Sequence, residues 1–403
     1  MLVLIPESLL GERDTDSMRI VSKLLCLQLN LANIERAGLA REAKKTKQRP
    51  PVFLKQNPTK REVFGPFRGV SKKMWMKWFG WDYKKVVDKL VYKKIVERND
   101  RYKVDGFPKS YRLAEEYWDE KLILRDINYY IPTTSSIDSN VENYHGPYKQ
   151  EYQCAESYLT SFKLPDWSAG KFNEISDEYE QDPKKWGDFQ RYSIVAMQDC
   201  EWWSKVDKNN RHHTPLTTLS KVIRKHVVHD HHTEVGGWDF KNFQPSLLQF
   251  YTELGLPCSV PQEEHNQYFS LCREGKIYEF IAHKMGCKSR DEVKKPMLAM
   301  LNIENKKMVE MPIFKCLSRW FPSLCEVIAA IKKQDHRDMS KFLQGKESEI
   351  VFGHVVRRYA KLNQPFFTVH DSVITTKKNI EILGNIIGEV IEELEIETRH
   401  DRT

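Results

Sequence analysis

The 403-residue chain carries a formal net charge of +8, with 40% hydrophobic and 11% aromatic residues, so it has enough apolar material for two or three folded domains. Its eight cysteines are scattered without a C-x-x-C pair, which argues against a zinc ribbon and for reduced, intracellular thiols. The opening MLVLIPESLL is apolar but short and lacks a basic lead, no window approaches a membrane span, and no G-x-x-x-x-G-K-[ST] loop is present.

In chain order, residues 17–43 place Ile20, Leu24, Leu27 and Leu31 at helical spacing and predict a helix. KKTKQRPPVFLKQNPTKR follows as a Lys-, Arg- and Pro-rich linker or phosphate-contacting arm. Residues 67–116 read as a winged helix: helices over 71–80 and 82–91, a strand over 94–99, and partner strands at 102–104 and 110–113 around the turn DGFPK. Lys103, Lys109 and Arg112 surround that turn, where a wing would meet a nucleic-acid backbone. WMKWFGWD reads as a local aromatic core. Residues 117–205 read as a mainly helical connector.

Two aspartates follow strand-like apolar approaches, Asp239 in EVGGWDFKNFQPSLL and Asp371 in PFFTVHDSVIT. Paired carboxylates delivered by strands suit two Mg²⁺ ions shared with a nucleotide triphosphate, because hard cations take oxygen ligands and phosphoryl transfer needs its charge neutralised. Arg290 and Lys294 lie one helical turn apart in KSRDEVKKPMLAMLN, with Lys295 adjacent, and can clamp phosphates; Pro296 is expected to interrupt that helix early. LQGKESEI and VFGHVVRRYA read as an amphipathic helix. The histidines of KHVVHDHHTE read as a polar loop before a strand.

Five segments, in order over residues 210–376, resemble family A DNA polymerases and the related phage-type single-subunit RNA polymerases. NRHHTPLTTLSKVIR is similar to the segment before the first catalytic strand, which implies Arg211 beside the growing 3′ end; Asn210 stands where the family has glycine. GGWDFKNFQPSLL resembles motif A, implying Asp239 and the Phe240 carbonyl as metal ligands and Gln244 at the sugar gate. KSRDEVKKPMLAMLN resembles motif B, with Asn302 in place of the aromatic residue at the templating base. LQGKESEI matches Q-G-x-x-A-D through Gln344 and Gly345, while Glu347 and Glu349 bring acids near where the family has one. TVHDSVITT resembles motif C, implying Asp371 as second metal ligand and His370 near the primer terminus.

The resemblance implies an α+β fold with a right-hand polymerase core: an N-terminal helical segment and basic linker (1–60), a winged-helix module (61–116), a thumb-like connector (117–205), and palm and fingers (206–403). It implies template-directed nucleotidyl transfer with two Mg²⁺ ions, or Mn²⁺ in their place, on a DNA template-primer and nucleoside triphosphates. DNA synthesis is slightly favoured by Gln244, while His-Asp-Ser leans to RNA synthesis or priming. A non-catalytic DNA-binding initiator with a degenerate core and a template-independent transferase remain as alternatives. An intracellular protein encoded by a virus or mobile element, working with replication partners and without a membrane, completes the expectation.

Overall fold

The computed structural model describes residues 2–45, 58–79, 83–101, 108–127, 137–181, 187–198, 202–230 and 232–402. It is a mixed α+β structure that divides into two compact units. The first takes 1–136, 163–202 and 218–227; the second takes 137–162, 203–217 and 228–403. Lys103, His231 and most of the basic linker lie outside the described residues.

In the first unit, strand β1 (Leu2–Pro6) is buried along its whole length, so the apolar opening is core. The helix Thr15–Lys45 lays Ile20, Leu24 and Leu25 into the same core, and the Leu4 N–H donates to Ser22 Oγ at 2.9 Å. Next come β2 (Arg68–Gly69), the helices Lys72–Phe79 and Tyr83–Tyr92, β3 (Val96–Asn99) and β4 (Ser110–Leu113), giving a three-stranded sheet ordered β2-β4-β3. Trp75 is its packing centre, stacked on Tyr83 and edge-on to Tyr111. Strand β5 (Leu122–Asp126) pairs antiparallel with β1. The fully buried Arg191 guanidinium is neutralised by Asp177, Glu180 and Asp188, as a buried charge requires.

In the second unit, β6 (Asp138–Ser139), β8 (Trp203–Val206) and β9 (His212–His213) make a small sheet ordered β6-β8-β9. The larger sheet runs β12 (Phe366–Val369), β13 (Ser372–Thr376), β11 (Thr233–Phe240), β10 (Val228–His229) and β7 (Phe162–Lys163), with β14 (His400–Arg402) also on β11. Residues 117–205, expected to be mainly helical, thus hold β5 to β8 beside the helices Lys149–Tyr158, Ala169–Glu180 and Gly187–Gln198. Runs as short as LILRD carry no periodicity that separates strand from helix, and pairing with distant partners decides them.

Helices between residues 262 and 348 pack around Tyr268, Met300, Leu317, Phe321 and Leu324. One runs Arg290–Asn302 straight through Pro296, correcting the expected interruption. Buried Val293, Met297, Met300 and Leu301 hold that helix to the core, and this burial outweighs the one backbone hydrogen bond proline removes. The helix Arg337–Ser348 continues into a π-helical stretch, Glu349–Val356, a geometry that recurs at functional sites.

Candidate active site

Strand alternation decides what Asp239 faces. On β11, Trp238 and Phe240 turn to one side: Trp238 donates Nε1–H to the Ile380 carbonyl at 2.7 Å, and the buried Phe240 stacks on Phe243 at 4.2 Å. Asp239 faces the other side, directly opposite Ser372 of β13 and Asp401 of β14. The Ser372 hydroxyl donates to Asp239 Oδ1 at 2.9 Å. Asp401 is held by Lys241 at 3.3 Å and Arg399 at 3.8 Å.

His370 and Asp371 form the two-residue turn between β12 and β13, and His370 takes the positive φ of 57° that such a turn demands. Since Asp239 pairs with Ser372, Asp371 sits one residue beyond it at the hairpin tip. Burial, then the Asp239 and Glu347 carboxylates, push the Asp371 carboxyl well above the ordinary carboxylate range. His370 is exposed, and its ring lies 6.1 Å from that of His213.

Arg211 is carried by a tight loop. Asp207 Oδ1 accepts from the Asn209 N–H at 2.8 Å and the Arg211 N–H at 3.0 Å, and Asn210 adopts φ 63°. Asparagine tolerates that left-handed geometry, which is why it serves where glycine would. Tyr144 donates its hydroxyl to the Asn210 side chain at 2.5 Å, and Tyr152 to the Asn210 carbonyl at 2.6 Å. From there Arg211 Nη2 reaches both oxygens of Glu347, at 2.7 and 2.8 Å, while Asn209 Nδ2 donates to Gln344 Oε1 at 2.6 Å. Glu347 is only 3% exposed. Burial raises its pKa against the pull of Arg211 and a hydrogen bond from Gln244, with Asp239 adding to the rise.

Asp239, Asp371, Glu347, Arg211 and Gln244 therefore form one interacting group. Arg290 lies over the Tyr278 ring at 5.5 Å and 3.6 Å from Glu279, a charge contact too long for a hydrogen bond. Both Arg290 and Asp371 act electrostatically on Tyr278, which ties the helix Arg290–Asn302 to the same region. Lys294 and Lys295 are exposed on that helix. Asn302 has its amide spent on the Leu298 carbonyl at 2.7 Å and on Ser340.

Lys109 and Arg112, in the first unit, hold local partners. Lys109 meets Asp100 at 2.5 Å; Arg112 donates to Glu97 at 2.8 Å and the Gly65 carbonyl at 2.8 Å, with its guanidinium 4.4 Å from the Phe67 ring centre. In the sequence Glu347 reads, with Glu349, as an acid near the one in Q-G-x-x-A-D, without a role assigned; Asp401 is not singled out there. Asp401 carries no motif, and only the β11–β14 register brings it to Asp239.

Among the described residues no group of three or more His, Cys, Asp and Glu side chains is arranged to hold a metal, and no helix is long and apolar enough to cross a membrane. What Asp239 and Asp371 offer a divalent cation is a pair of hard oxygen donors whose mutual repulsion it would relieve, and Asp371 is the group on which that repulsion falls.

No family model matches the sequence, and no curated protein matches it. Among solved structures, the chain is similar to the POL domain of Pol1 from M. smegmatis in complex with DNA primer-template and dNTP. That match has a TM-score of 0.37 and 9% identity, and covers 65% of this chain and 65% of that chain.

Proposed function

We propose that the chain is a template-directed nucleic-acid polymerase, a nucleotidyltransferase whose palm is the β12-β13-β11 sheet and whose fingers are the helices between residues 250 and 340. The observation that carries this reading is the pairing of Asp239 with Ser372, which puts Asp239 and Asp371 at one end of adjacent strands with their charges opposed. A lone structural aspartate needs no second one beside it, and two unneutralised carboxylates cost stability unless they serve a cation.

Two Mg²⁺ ions, with Mn²⁺ as substitute, would be held by Asp239, Asp371 and the Phe240 carbonyl. When bound they supply charge neutralisation on the triphosphate and a lowered pKa at the attacking 3′-hydroxyl. Arg211 would hold the 3′ end of the primer, with His370 beside it. Arg290, Lys294 and Lys295 would orient the triphosphate by charge-assisted hydrogen bonds. Gln244 would meet the incoming sugar, and Asn302 would lie toward the templating base. Elements 61–116 would act as a winged helix gripping duplex, with Lys103, Lys109 and Arg112 at the wing. Since Lys109 and Arg112 already hold acidic partners, that grip would come at the expense of existing ion pairs.

DNA synthesis is slightly favoured over RNA synthesis. Gln244, hydrogen-bonded to Glu347, would present its amide to the incoming sugar, where it would crowd a ribose 2′-hydroxyl. Primer extension with dNTPs against NTPs, with and without template, tests the reading. Template-dependent, Mg²⁺-dependent incorporation supports it, NTP preference turns it to RNA synthesis or priming, and strand binding without pyrophosphate release leaves a non-catalytic binder.

A further inference from the structure

Arg211 and Glu347 are 136 residues apart, and their contact uses the guanidinium unevenly. Both carboxylate oxygens converge on the single nitrogen Nη2, while the buried Nε–H has no hydrogen-bond partner. The Arg211 side chain keeps 19% of its surface exposed against 4% for Glu347, so the acid is enclosed while the arginine reaches the surface.

We infer that Glu347 is a positioning residue that aims Arg211 at a hydrogen-bond acceptor on a nucleic-acid strand, and is not itself a ligand for a cation. The inference rests on reading Asp239 and Asp371 as the catalytic carboxylates. Two further observations support it. Arg211 cannot be re-aimed by its backbone, because Asp207, Tyr144 and Tyr152 hold the loop on either side. Glu347 in turn is set by its helix, whose preceding turn binds the same loop through Gln344 and Asn209. At 3% exposure, with both oxygens on Arg211 and a further hydrogen bond from Gln244, Glu347 is enclosed by protein donors.

The test is a double-mutant cycle on the full chain, read by fluorescence anisotropy of a labelled primer-template in EDTA, where neither metal nor turnover enters. Arg211→Ala and Glu347→Ala are each expected to raise Kd about 10-fold, and the double variant no further than about 2-fold beyond either single. Glu347→Gln keeps an acceptor for Nη2 and is expected to cost about 3-fold, a partial rescue. Multiplying effects, an unchanged Kd, or tighter binding by Glu347→Ala would overturn the inference, the last by making Glu347 a competitor for Arg211. Half-saturating Mg²⁺ for incorporation by Glu347→Gln is expected to shift by less than about 10-fold, the effect of one charge near Asp371; a rise well above about 100-fold would make Glu347 a metal ligand and overturn it as well.

Melting curves identify any variant that does not fold, in which case Glu347→Gln and Arg211→Lys complete the cycle with the same non-additivity expected. Non-additive strand binding without incorporation by wild type would remove the polymerase reading alone. Incorporation by wild type with an additive cycle would remove this inference alone.

Discussion

Ser372 stands directly across the β11–β13 ladder from Asp239 and gives its hydroxyl proton to Asp239 Oδ1 at 2.9 Å. One lone-pair direction of that carboxylate is thereby fixed, and the other oxygen is left to a ligand. The hydroxyl orients Asp239 without adding charge, whereas a third acid at 372 would add to the repulsion already loaded on Asp371. Ser372→Ala is expected to slow nucleotide incorporation by about 3- to 10-fold, the worth of one hydrogen bond to a charged group. The melting temperature should hardly move, since Ser372 is only partly buried. Steady-state extension beside a thermal melt checks both parts; equal rates for the two proteins would show that Asp239 is oriented by other means.

Asp371 is where stability and activity should part. Burial first, then Asp239 and Glu347, penalise its ionised form. Asp371→Asn removes that penalty while keeping the shape of the turn, so the variant should melt a few degrees higher than wild type. The same change removes a metal ligand and should lower incorporation by on the order of 10³-fold or more. Asp239→Asn should match the loss of activity, with strand binding in EDTA within about 2-fold of wild type for both. A variant of either kind that extends primers at the wild-type rate would end the catalytic assignment.

How much of this was legible in the sequence depends on how far apart the partners lie. The hairpin bearing Asp371 is written locally, as two apolar runs around His-Asp, and the structure has that hairpin. Asn210 is likewise local, and its positive φ follows from its side chain. The Arg211–Glu347 contact joins residues 136 apart, and no pattern near either one encodes it. Arg112 and Lys109 read as exposed cations because their acids, Glu97 and Asp100, become neighbours only once β3 and β4 pair. Pro296 misled in the opposite direction, since local propensity forbids what buried Met297 and Met300 enforce. Strand β5 was hidden because its partner is the first strand of the chain.

Gly384 lets the helix Ile380–Glu393 lie against the strand that carries Asp239. A Cβ at 384 would sit 2.7 Å from the Trp238 ring, and Trp238 is tied to the same helix through the Ile380 carbonyl. Alanine prefers a helix to glycine by about 1 kcal/mol, but an overpacked contact of this kind costs about 1–3 kcal/mol, so the clash decides the sign. Gly384→Ala should therefore lower stability, and by shifting Trp238 should disturb the neighbouring Asp239 and slow incorporation. Chemical denaturation and primer extension on one preparation check it. Gly388→Ala is the control: its Cβ would meet nothing nearer than His400 at 3.7 Å, and it should be neutral or stabilising.

His212 gives the fold its expected acid sensitivity. The ring is almost wholly buried beside the Arg211 loop, with Nε2 and Ser204 Oγ 2.9 Å apart, and Nδ1 has no partner. Burial, helped by the neighbouring His213, pushes its pKa down to about 3 from 6.5, so the folded protein holds a neutral imidazole. Between those two values the unfolded chain binds the proton that the folded chain refuses. Its contribution is therefore complete above pH 6.5 and is lost as pH falls, at about 1.4 kcal/mol per pH unit, until the folded value is reached. His212→Gln cannot titrate and keeps a polar group for Ser204; it should be less stable than wild type at pH 7.5, with the gap narrowing at that slope below pH 6.5. Denaturant unfolding of both proteins across pH 5–8 measures the gap directly, and a constant difference would mean that His212 is not held neutral by the fold.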